Sequence, residues 1–114
     1  MSVVQGKSMQ PVTEALPHPT RDELELSRVL HALSDPVRLK IVASLGSEGE
    51  CAMGQIELPV TKSTCTHHFK VLREAGVLSQ RQVGTARMNT LRREDLDARF
   101  PGLLETVLRS VERD

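Results

Sequence analysis

Lys62-Ser63-Thr64-Cys65-Thr66-His67-His68-Phe69-Lys70-Val71-Leu72-Arg73-Glu74-Ala75-Gly76 divides cleanly into two faces when it is wound as a helix. Cys65, Phe69, Leu72 and Ala75 recur at i, i+4, i+7 and i+10, an apolar stripe of helical period. The other side carries Ser63, Thr64, Thr66, His67, Lys70 and Arg73. Thr61 or Ser63 suits the N-cap and Gly76 the C-cap. His67 and His68 are adjacent, so they point about 100° apart. His68 falls beside the apolar stripe as a packing residue, and His67 falls on the polar face.

Downstream, 77–83 and 86–91 are short strand-like runs separated by Gly84-Thr85, where the glycine allows the positive φ of a tight hairpin turn. Leu78, Met88 and Leu91 are expected to face inward, with Arg81 and Arg87 outward. The helix and hairpin together gather charge. Residues 62–93 hold seven basic side chains (Lys62, Lys70, Arg73, Arg81, Arg87, Arg92, Arg93) against Glu74 alone, whereas 1–61 hold five basic and eight acidic and 94–114 hold three basic and six acidic. The chain is formally neutral, yet one segment is strongly positive. Phosphate is the usual partner of such a segment, because neutralising it releases condensed counterions.

Upstream, Thr20 with Glu23 makes a capping box. Leu26, Val29, Leu30 and Leu33 continue it as a helix over 21–33. Ser34-Asp35-Pro36 stops that helix and starts another, with Asp35 as cap and Pro36 in the first turn. Val37, Ile41, Val42 and Leu45 form its stripe, and Gly46 is expected to end it. Arg38 can pair with an acid such as Asp35 or contact a phosphate at the helix edge, and the structural role is the one favoured. Residues 52–57 suit one short helix. Residues 93–113 regain a helical period through Leu96, Phe100, Leu103, Leu104, Val107, Leu108 and Val111, broken at Pro101-Gly102. Its apolar face exceeds what one small domain needs and points to a second subunit. Residues 1–20, with three prolines and no apolar period, read as a mobile arm, leaving 21–114 as the folded domain.

Composition excludes several classes. At 114 residues there is one domain. Phe69 and Phe100 are its only aromatics, which argues against nucleic-acid modules that stack bases on exposed rings. No apolar run reaches the ~18–20 residues of a membrane span, and no signal-peptide pattern opens the chain, so a cytoplasmic location is expected. There is no Ser–His–Asp spacing, Gly-rich phosphate loop or His-Glu-x-x-His, and no enzyme is expected.

A short helix, a tight turn, a polar-faced helix and a basic hairpin, in that order, describe a mainly α fold with a small β-hairpin wing: a winged helix-turn-helix. In such a fold the polar-faced helix enters the major groove. Ser63, Thr64, Thr66 and His67 are the candidates for base reading, and Lys62, Lys70, Arg73, Arg81 and Arg87 for phosphate contact.

Two segments also carry a resemblance. Residues 32–42, Ala-Leu-Ser-Asp-Pro-Val-Arg-Leu-Lys-Ile-Val, and the helix quoted above with its His-Phe-Lys-Val-Leu core and closing glycine are similar to the ArsR/SmtB family of repressors. The resemblance spans roughly residues 24–110. It implies a dimeric repressor on a palindromic DNA operator, released by an inducer, often a metal ion. The implied dimer joins the first and last helices through Leu26, Val29, Leu30, Leu104, Val107, Leu108 and Val111. The chain departs from the family at its metal sites. Where a Cys-x-Cys box belongs, it reads Glu50-Cys51-Ala52-Met53, with one thiol, and residues 94–114 contain no histidine. No metal or other cofactor is therefore expected, and a small-molecule inducer is left unidentified. Two alternatives stay open: a thiol- or metal-responsive sensor using Cys51, placed where a helix N-terminus would lower its pKa, and a winged helix that binds a protein instead of DNA. Cys65 reads as an inert core thiol, and Met53 and Met88 as core fillers.

Overall fold

A computed structural model describes residues 13–113. Its elements are β1 (Thr13–Ala15), α1 (Leu26–Ala32), α2 (Pro36–Glu48), β2 (Cys51–Ala52), α3 (Lys62–Ala75), β3 (Leu78–Val83), β4 (Ala86–Leu91), α4 (Arg93–Arg99) and α5 (Leu103–Arg113), with single 3-10 turns at Arg21–Glu23 and Met53–Gln55. Phe69 and Leu72 of α3 are fully buried, in one core with Val29, Ala32, Ile41, Val42, Leu45, Leu78, Leu91 and Leu96. The apolar stripe of α3 thus fixes which side of that helix is left to solvent.

The caps follow the sequence closely. The Thr61 hydroxyl accepts from the Thr64 amide at 3.3 Å, so Thr61 rather than Ser63 is the cap, and Gly76 closes α3 in the left-handed conformation at φ 87°. The Asp35 carboxylate accepts from the amides of Val37 at 2.9 Å and Arg38 at 3.1 Å, with Pro36 in the first turn. Partial burial pushes the Asp35 pKa up, but those two amides and the charges of Arg38 and His68 outweigh it, and the net shift is downward.

Several expectations are corrected. The helix expected over 21–33 is broken. Thr20 and Glu23 do interact, the Thr20 amide donating to the Glu23 carboxylate at 2.8 Å, but the turn stops at Glu23 and Leu24 is extended at ψ 132°. Leu24 is 2% exposed and packs under Gly76, where a β-carbon would sit 2.0 Å from its Cδ2. Driving Leu24 into the core costs the helix its continuity. Gly46 does not end α2; the helix runs to Glu48, and Gly49 at φ 81° terminates it. Gly46 instead lets α5 approach, since a β-carbon there would meet Leu108 Cδ2 at 2.8 Å. The short helix expected over 52–57 is only β2 and one 3-10 turn, because Cys51 and Ala52 pair with Asn89 and Met88 of β4. The last segment divides at Pro101-Gly102, Gly102 having φ 81°.

The sheet order is β1-β3-β4-β2, all antiparallel. The wing turn has Gly84 at φ 60° and no positive φ at Thr85, the pattern of a type II′ hairpin. The arm expected over 1–20 is corrected at its end. Residues 13–15 form β1 against β3, with Thr13 opposite Val83 and Ala15 opposite Arg81, and the Leu16 amide donates to Gln80 O at 3.0 Å. Guanidinium groups then hold the following backbone: Arg73 on Pro17 O at 3.0 Å, Arg92 on Pro19 O at 2.6 Å and Arg99 on Arg21 O at 2.8 Å. The rest of the expected arm, residues 1–12, lies outside the described residues.

Candidate nucleic-acid interface

Lys62, Ser63, Thr64, Thr66, His67 and Lys70 are all exposed, on the side of α3 opposite Phe69, Leu72 and Ala75. Their hydroxyls are partly used by the helix itself. Thr66 Oγ1 donates to Lys62 O at 3.0 Å, and Thr61 Oγ1 donates to Thr64 Oγ1 at 2.9 Å. Each still has a free acceptor side toward solvent. Among the described residues, the side-chain ammonium groups of Lys62 and Lys70 have no hydrogen-bond or ion-pair partner.

The other basic residues of this segment are not equally free. Arg73 donates to Pro17 O and, at 2.6 Å, to Gln80 Oε1; partial burial lowers its pKa against the charge of Glu74, with Arg87 adding to the lowering. The expectation that Arg73 faces phosphate is therefore corrected: it ties α3 to the wing and to the segment after β1. Arg81 is paired with Glu50, Nη2 to Oε1 at 2.9 Å. Arg92 is spent on Asp95 and Pro19 O, and Arg93 on Gly46 O. Arg87 makes one long bond, Nε to Gln82 Oε1 at 3.3 Å. The positive field at the interface is thus carried by Lys62, Lys70 and Arg87, fewer cations than the residue count suggests.

The hairpin faces also differ from expectation. Gln82 lies opposite Arg87, Gln80 opposite Asn89 and Leu78 opposite Leu91. Side chains alternate along a strand, so Arg87 and Gln82 share the face of buried Leu78, Gln80, Asn89 and Leu91. Arg81 and Met88 share the other. Met88 and Leu91 cannot both point inward, being an odd number of residues apart. Gln82, beside Arg87 at the tip, was not singled out from sequence, although period-2 counting from Leu78 would have found it.

Arg38, His68 and Asp35 form a support behind α3. Arg38 is 8% exposed. It donates from Nε to Ala32 O at 2.6 Å and from Nη2 to His31 O at 3.3 Å. Its Nη1 lies 3.1 Å from His68 Nδ1; a guanidinium only donates, so Nδ1 is the acceptor. Asp35 Oδ2 is 3.9 Å from that nitrogen. Arg38 is structural, as read, but through the last carbonyls of α1 rather than through an acid. His68 is the packing histidine, and His67 stands outside.

Of the two thiols, Cys51 is buried and Cys65 half-buried. Cys51 is 5% exposed and lies in a strand, not at the helix N-terminus expected for it. Burial pushes the Cys65 thiol up. Among the described residues, no group of three or more His, Cys, Asp and Glu side chains is placed to hold a metal ion, and no helix is long and apolar enough to cross a membrane.

The residues expected at the dimer interface separate into two groups. Leu26 and Leu30 are 48% and 47% exposed on α1, one turn apart, and Val107, Leu108 and Val111 are half-buried on α5. Val29 and Leu104 are 0% and 6% exposed. Those two are corrected: they belong to the protomer's own core and have no surface to offer.

Comparison with known proteins agrees with this geometry. A family model described as a helix-turn-helix domain matches residues 33–81. An uncharacterized HTH-type transcriptional regulator, YceK, of Bacillus subtilis (strain 168) is 34% identical over 89 residues, covering 75% of this chain and 89% of the relative. A biofilm growth-associated repressor of Xylella fastidiosa is 35% identical, covering 59% of this chain and 64% of the relative. The arsenical resistance operon repressor of Staphylococcus xylosus is 36% identical, covering 64% and 71%.

Proposed function

Since this chain belongs to the ArsR/SmtB family of winged helix-turn-helix transcriptional regulators, we propose that it represses transcription as a homodimer on an inverted-repeat DNA operator. The observation that carries this reading is the exposed row Lys62, Ser63, Thr66, His67 and Lys70 on a helix whose opposite side is locked into the core. Ser63, Thr64, Thr66 and His67 present short donors and acceptors to base edges, and Lys62, Lys70 and Arg87 anchor to phosphates. Gln82 joins Arg87 at the wing tip.

The exposed apolar residues of α1 and α5 support a dimer. Leu26 and Leu30 leave an apolar strip on α1, and Val107, Leu108 and Val111 extend one along α5. Two recognition helices about 34 Å apart then meet successive major grooves. Release requires a ligand that prefers a different separation of those helices, and it shifts the equilibrium only by that preference. The cysteines do not favour the thiol- or metal-sensor alternative, since Cys51 is buried and burial raises the pKa of half-buried Cys65. The row of exposed hydroxyls and lysines favours DNA over a protein partner.

Selection of bound fragments from random-sequence duplex DNA tests this directly. An enriched inverted repeat is the expected result, and Leu26→Glu with Leu30→Glu should abolish both the dimer and binding to the full repeat. A folded, dimeric protein that enriches nothing would overturn the reading in favour of a protein partner.

A further inference from the structure

Arg81 and Glu50 form the most complete ion pair on the wing. Arg81 Nη2 lies 2.9 Å from both Glu50 carboxylate oxygens, and Nε lies 3.2 Å from Oε2. Thr90 Oγ1 donates to the same carboxylate at 3.2 Å. The backbone places all three on one face. Cys51 pairs with Asn89, so Glu50 falls beside Thr90, and Arg81 is opposite Met88 on that face of β3 and β4. Gly49 at φ 81° turns the chain out of α2 into this position. The side chains are 44% and 38% exposed.

We propose that Glu50 is a gate on the wing that competes with DNA phosphate for Arg81 and so sets how tightly, and how salt-sensitively, the wing anchors. This rests on the DNA-binding reading above. A carboxylate and a phosphate accept from the same guanidinium fork. A pair this open to water is weak, so a phosphate can take Arg81 from it, helped by counterion release. Once Arg81 turns away, the Glu50 carboxylate is unpaired beside a polyanion and opposes binding to every sequence alike. Glu50 therefore lowers affinity without touching base preference, and Arg81 is a phosphate contact held in reserve.

The test is a double-mutant cycle on the full chain, Glu50→Gln, Arg81→Gln and both together, with duplex affinity measured across salt by fluorescence anisotropy and folding checked by thermal melting. Glu50→Gln keeps the shape and the Thr90 contact while removing the charge. It should bind about three- to tenfold tighter near 0.1 M salt, with a salt slope steeper by about one. In the double variant that added slope should vanish. An unchanged affinity and slope in Glu50→Gln would overturn the proposal. So would a steeper slope that persists in the double variant, because Arg81 would then not be the cation released. A wild-type protein that binds no duplex at all would instead overturn the DNA-binding reading, and the gate with it.

Discussion

Arg81 and Arg87 stand on opposite faces of one hairpin, because Arg87 is paired across the strands with Gln82, the residue next to Arg81. Only Arg87 shares the side on which Gln80 meets Arg73 of the recognition helix. The wing therefore has one cation aligned with α3 and one turned toward the loop after α2. Charge density along the sequence treats the two as equivalent, and the pleat separates them.

Lys70→Ala and Arg87→Ala should each weaken binding to any duplex and flatten the slope of log affinity against log salt by about one. Titrations at several salt concentrations on specific and unrelated duplexes check this. A loss confined to the specific duplex would mean that these residues read bases.

His67→Ala and Thr66→Ala should behave differently, costing about 1–3 kcal/mol on the preferred site and less on others. Competition between the preferred duplex and single-base variants of it measures the loss of discrimination. Equal losses on all duplexes would move these side chains from reading to anchoring.

Arg38→Ala removes a buried guanidinium and takes its donor from the Ala32 carbonyl and from His68 Nδ1. A loss of about 2–4 kcal/mol is expected, seen as a lowered midpoint in chemical denaturation. Arg38→Lys should not rescue it fully, because one ammonium cannot span the acceptors that a planar fork reaches on both helices.

Acid should destabilise the fold in a defined window. Asp35 and Asp95 both have carboxyl pKa values held below the ordinary aspartate value, Asp95 chiefly through its hydrogen bond from Arg21, with Arg92 adding to it against the effect of burial. A carboxyl whose folded pKa is depressed stabilises the native state above its unfolded pKa and loses that contribution as pH falls through the folded one. Stability should hold down to about pH 4 and then decline. Asp35→Asn and Asp95→Asn should each flatten the decline in melts taken from pH 6 to pH 2.

Cys51 and Cys65 should react slowly with a thiol reagent in the native protein and rapidly once it is unfolded, since one is buried in a strand and burial raises the pKa of the other. Fast native labelling of Cys51 would restore the sensor alternative.

Local chemistry made much of this molecule legible. Asp35-Pro36, Thr61, Gly76 and Gly84 act within a few residues of themselves, and the stripe of Phe69 and Leu72 is periodic, so helix starts, the wing turn and the buried side of α3 could be read directly. The roles of Arg73, Arg92 and Arg99 could not. Their acceptors are backbone carbonyls of residues 17, 19 and 21, more than fifty positions away, and no spacing encodes such a contact. Val29 and Leu30 show the same limit on the α1 face. Both are apolar and adjacent, and only the packing angle of α1 on α3 decides which is core and which is left at the surface.

The short strand β1 has a further consequence, for behaviour at high concentration. A hairpin with six-residue strands standing alone would offer a long row of unpaired amides and carbonyls to any extended chain nearby. Here Thr13–Ala15 cover the outer half of β3, and the Leu16 amide occupies Gln80 O. Among the described residues, that leaves Leu78 and Ser79 of β3 without a neighbour on this side, a stretch too short to template much strand addition. Pairing at that position shields the wing from aggregation, so it can project toward DNA without recruiting other copies through its backbone.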